Sequence, residues 1–73
     1  MDKIENLKVG LETYKEQIQR IDTMSLDALL NLYGNLKILE YRAFGIKQSD
    51  IAYSTQHLED QIQDKINYLI NKK

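Results

Sequence analysis

His57 is the single histidine of the chain, and it falls three and seven residues before Asp60 and Asp64 and four after Tyr53. On a helix that spacing puts all four side chains on one face. An imidazole one turn from a carboxylate can bind a metal, or act as a base with its orienting acid. A catalytic zinc takes three protein ligands, and a His and an Asp one turn apart are two potential ligands without a third, so no metal site and no cofactor are expected. The three glycines are isolated and form no phosphate-cradling loop. No nucleophile elbow, His-Glu-x-x-His pair or close carboxylate dyad stands out. The remaining chemistry is that of recognition. Tyr14, Tyr33, Tyr41, Tyr53 and Tyr68 make five tyrosines in 73 residues, and an exposed tyrosine contributes large contact area at low entropic cost. With Tyr68 at its edge, the face of Tyr53, His57, Asp60 and Asp64 is the expected partner-binding surface.

The element that carries this face is set by Ile51, Leu58, Ile62, Ile66, Leu69 and Ile70. They form one stripe at about 100° per residue, and Thr55 fills its gap. The stripe predicts a helix over 49–71, capped by Ser49 or Asp50, with Lys72 and Lys73 at the end where positive charge is favourable. Upstream, Ile4, Leu7, Leu11, Tyr14, Ile18 and Ile21 alternate at three and four residues, a heptad seam over a helix at about 3–22. So narrow a seam suits one neighbour, in the same chain or in a second copy, and a dimer through it is expected. Gly10 weakens that helix by roughly 1 kcal/mol relative to alanine.

Between these two, Ser25 is a good N-cap, Met24 can staple onto Leu29, and Asp27 complements the helix dipole. A helix over 26–44 follows, apolar around more than half its circumference, and hence central to the packing. Gly45 is suited to a left-handed C′ position, with Ile46 folding back on Tyr41. Three helices of similar length with short connections predict one all-α domain spanning 1–73. Its expected form is an up-down-up bundle, equivalently a helical hairpin plus an N-terminal heptad helix.

Acidic and basic residues nearly balance and are interspersed, which leaves no electrostatic footprint for nucleic acid. The N-terminus has no secretory pattern, no run approaches a membrane span, and there is no cysteine to form a disulfide or thiolate site. A bacterial or phage cytoplasmic protein is the expected setting. A helix-turn-helix can be laid over 45–66, but its turn would fall at Gln56 and its recognition helix would carry Glu59, Asp60 and Asp64 towards phosphates.

Gly45-Ile46, followed by Thr55-Gln56-His57-Leu58-Glu59, resembles the small sporulation-type aspartyl-phosphate phosphatases of bacilli. Those are helical hairpins whose second helix carries Ser-Gln-Glu-Leu-Asp after a Gly-Leu helix break. Gln56 and Leu58 match outright, Thr55 and Glu59 are conservative replacements, and His57 stands where the family has glutamate. The resemblance covers about half the chain. It implies that Gln56 and Glu59 would position water for attack on a response regulator's phosphoaspartate. Three expectations therefore stand in order. The first is a non-enzymatic regulator or inhibitor, of phage or mobile-element type, that binds a protein partner. The second is the phosphatase, and the third a DNA-binding regulator.

Overall fold

The computed structural model describes residues 2–72, and these form an all-α three-helix bundle. Helix α1 spans Lys3–Ile18, α2 spans Leu26–Gly45 and α3 spans Ser49–Asn71; a single 3-10 turn, Ile21–Thr23, links the first two. Met1 and Lys73 lie outside the described residues, including the terminal lysine expected to favour the end of α3.

Each helix begins and ends for a local reason. The Asp2 carboxylate accepts from the Glu5 amide at 2.8 Å and starts α1. The Ser25 hydroxyl accepts from the Ala28 amide at 3.2 Å and starts α2, as its sequence position predicts. Helix α1 stops four residues short of the expected end. Its last amides tighten to i−3 carbonyls, and the Thr23 hydroxyl takes the Arg20 carbonyl at 2.9 Å.

The turn into α3 differs from the expectation at Gly45. Gly45 stays helical, and the left-handed residue is Lys47, at φ 60°. The Gln48 amide donates to Ala43 O at 2.8 Å and the Lys47 amide to Phe44 O at 3.0 Å, a complete Schellman motif displaced by two residues. The displacement follows from packing, because one more half-turn of helix carries Ile46 onto the core. Ser49 and Asp50 consequently lie inside the first turn of α3, and neither caps it. Helix α3 is unbroken through Gln56, so the helix-turn-helix overlay has no turn where it needs one.

Leu29, Leu36 and Ile62 are fully buried at the centre, with Leu32, Leu39, Ala43, Ile51, Ala52, Leu58 and Ile66 around them. Each such side chain contributes about 1.5–3 kcal/mol by leaving water. The Thr55 hydroxyl, also fully buried, is satisfied by the Ala52 carbonyl at 2.6 Å. Leu7, Leu11 and Ile18 of α1 join this core, and Tyr14 and Ile21 pack on its edge. The heptad seam expected to meet a second copy is thus occupied inside the chain, with only Ile4 exposed. Helix α2 contacts both neighbours as expected, yet Leu26, Leu30, Ile38, Tyr41 and Phe44 remain exposed on it.

Candidate functional site

At 100° per residue, Leu39, Asn35 and Arg42 lie on the flank of α2 that faces α1, where they line a groove with Leu7, Gly10 and Tyr14. Tyr33, Lys37, Glu40 and Phe44 lie on the other flank, which α1 does not reach. Opposite them on α3 are Ala52, Gln56, Glu59 and Ile66. This uncovered groove holds a polar cluster. The Gln56 amide donates to Glu40 Oε2 at 2.8 Å across the two helices. Lys37 Nζ is 3.0 Å from Glu59 Oε1 and 3.5 Å from Glu40 Oε1, and lies 5.6 Å from the centre of the Tyr33 ring.

Glu59 is 4% exposed, an unusual depth for a glutamate. Its Oε2 is buried with no hydrogen-bond partner among the described residues. Its carboxyl also lies against that of Glu40. Burial drives the Glu59 carboxyl above the usual carboxylate range, and the neighbouring Glu40 adds to this against the opposing pull of Lys37. For Glu40, burial also pushes upward, but the hydrogen bond from Gln56, the adjoining Glu59 carboxyl and the Lys37 charge outweigh it and hold the group below the usual range. Lys37, bonded to Glu59, is held more firmly protonated than an ordinary lysine. Two touching carboxyls share one ammonium, and the surplus negative charge is relieved by a retained proton or by a second cation.

The mouth of the cluster is a shallow pocket of about 290 Å³ lined by Lys37, Glu40, Tyr41 and Phe44. Tyr41 is 79% exposed there. Phe44 stands edge-on to Tyr53 of α3, with ring centroids 6.2 Å apart and planes at 87°. Three aromatic residues therefore rim the polar cluster at the end of the hairpin nearest the α2 to α3 turn.

Of the residues singled out in the sequence, Gln56 and Glu59 come together in this cluster, but both are turned towards α2. Gln56 is half-buried with its amide engaged, and Glu59 is inside. Tyr53, His57, Asp60, Asp64 and Tyr68 all lie on the outer face of α3 and are exposed. Tyr68 packs between the ammonium groups of Lys65 and Lys72, at 5.0 and 5.8 Å from its ring centre. Among the described residues no group of three His, Cys, Asp or Glu is placed to hold a metal, and no helix is long and apolar enough to cross a membrane.

Lys37 and Glu40 did not emerge from the sequence as site residues. One signal was present: Glu59 lies seven residues after Ala52 and seven before Ile66, so it shares their inward flank. Comparison with protein families, curated proteins and solved structures finds no match to this chain.

Proposed function

We propose that this chain is a small regulatory or inhibitory protein, without catalytic chemistry of its own, that docks on a protein partner. The observation that carries the reading is the uncovered groove between α2 and α3. Tyr41, Phe44 and Tyr53 crowd its mouth while remaining exposed, and Leu26, Leu30 and Ile70 are exposed towards its far end. Exposed aromatic residues around a partly desolvated charged cluster are the composition of a recognition surface. The outer face of α3, with His57, Asp60, Asp64 and Tyr68, continues from Tyr53 and enlarges the footprint. A bacterial or phage cytoplasmic setting suits the cysteine-free composition. The expected homodimer would use this groove, because the heptad seam is already filled inside the chain.

The test is affinity capture from a lysate of the source organism. Wild-type chain should retain a specific partner that Tyr41→Ala and Tyr53→Ala lose and Val9→Ala, on exposed α1, keeps. Identical retention by all four proteins would reject the reading. Sedimentation equilibrium decides the dimer: a strict monomer at micromolar concentration removes it.

The phosphatase reading draws on one observation, that Gln56 and Glu59 share a cluster with a cation. In its favour, the Lys37 ammonium could meet a phosphoryl group. Against it, Glu59 is buried and the Gln56 amide is held by Glu40, so water positioning would require the cluster to open. Phosphorylated receiver domains incubated with wild-type chain and with Gln56→Ala test it, and unchanged dephosphorylation rates would exclude it.

A further inference from the structure

We infer that the Lys37, Glu40 and Glu59 cluster is the seat for an arginine side chain presented by the protein partner, a seat that Lys37 fills in the free chain. This rests on the partner-binding reading above and adds the chemistry of what docks.

Charge is the first ground. Two carboxyl groups meet one ammonium, so the groove is complementary to one more cation and hostile to an anion. The second is the buried Glu59 Oε2, which lacks a donor among the described residues; a buried carboxylate oxygen calls for an N–H, and none of those residues supplies one. The third is the pocket beside it, with Tyr41 and Phe44 in its wall and Tyr53 edge-on behind.

Those features together select a guanidinium over an ammonium. A guanidinium is planar, carries five N–H donors, sheds water readily, stacks on aromatic rings and bridges carboxylates in pairs. A partner lysine would only duplicate what Lys37 already offers. The seat is exchangeable because the Lys37 side chain is 45% exposed. Its ammonium can swing into water without disturbing Leu36 or Ile62. Within the chain Arg42 does not compete, since it lines the grooves on the α1 side.

The experiment uses the full ¹⁵N-labelled chain titrated with N-acetyl-arginine methylamide, with the lysine and the uncharged citrulline analogues as controls. Saturable amide shifts are expected at Lys37, Glu40, Tyr41, Phe44, Gln56 and Glu59 with the arginine probe. The lysine probe should bind about tenfold more weakly and citrulline not at all. Tyr41→Ala, whose side chain stands in solvent and bears no core contact, should keep the native spectrum and weaken the arginine probe about tenfold. Absence of shifts, equal shifts with citrulline, or indifference to Tyr41→Ala would overturn the seat. Shifts at the same residues that grow with protein concentration alone would assign it to a second copy and overturn the partner assignment. If the probe fails while Tyr41-dependent capture persists, the arginine seat falls and the partner-binding reading survives.

Discussion

The hairpin of α2 and α3 has two long flanks. On one, α1 lays Leu7, Leu11 and Ile18 into the shared core, with Gly10 close against Leu39. On the other, Lys37, Glu40, Gln56 and Glu59 occupy the corresponding flank, with Glu59 buried, and aromatic rings stand beside them in water. Both flanks belong to the same pair of helices, so the difference is not one of secondary structure. The covered flank gains stability by excluding water from aliphatic carbon. The open flank places charge where desolvation works against it, and buried ion pairs contribute little or nothing net relative to apolar replacements. A small domain has little stability to spare. On the partner-binding reading proposed above, recognition is what a costly polar groove beside a conventional apolar one would serve.

The contrast is broken most severely from the covered side. Leu36→Ala, at a fully buried position, should lose about 2–5 kcal/mol by removing contacts and leaving a cavity, read as a lower urea midpoint. On the open flank, Glu40→Ala strips Gln56 of its acceptor and Lys37 of one partner. It should cost about 1–3 kcal/mol in the same assay.

The pH dependence sharpens the comparison further. Glu59 titrates above its ordinary value near 4.5 in the folded chain. Its contribution to stability is full below that value and is lost as pH rises through the elevated folded value. Glu40 titrates below 4.5. Its contribution is present above 4.5 and is lost as pH falls through the depressed value. The pair therefore favours the folded state most around 4.5, and stability should decline from there towards neutral pH. Glu59→Gln removes the elevated group at nearly unchanged side-chain size. Its unfolding free energy should gain on the wild type as pH climbs from 4.5, in parallel denaturant titrations; parallel curves would show that Glu59 carries no shifted proton.

The smallest expected effect is at the turn. Lys47 holds a left-handed conformation that glycine adopts without a Cβ clash. Lys47→Gly should raise stability by about 1 kcal/mol, measurable as a higher thermal midpoint.

The fold was legible because aliphatic spacing alone fixes three helices: the stripe from Ile51 to Ile70 and the seam from Ile4 to Ile21 allow few other readings. Heptad spacing does not say whose helix fills it, so the seam suits a dimer equally well, and only the packing of α1 on its own hairpin decides the neighbour. The left-handed residue was misplaced for a related reason. Residue type favours Gly45, while the packing of Ile46 onto the core carries the helix past it, a tertiary effect that local propensity does not contain. The candidate site was half legible. Gln56 and Glu59 were singled out by their resemblance to a phosphatase signature, whereas Lys37 and Glu40 become partners only when α2 and α3 are brought together antiparallel.

Replacing the cluster outright tests most directly whether it is there for recognition. In the triple variant Lys37→Met, Glu40→Leu, Glu59→Leu, apolar side chains of similar size take the place of every charge, with none left unpaired. Guanidinium denaturation should give a midpoint equal to or above that of the wild type. A loss of about 2 kcal/mol or more would make the cluster a structural clamp and contradict the account.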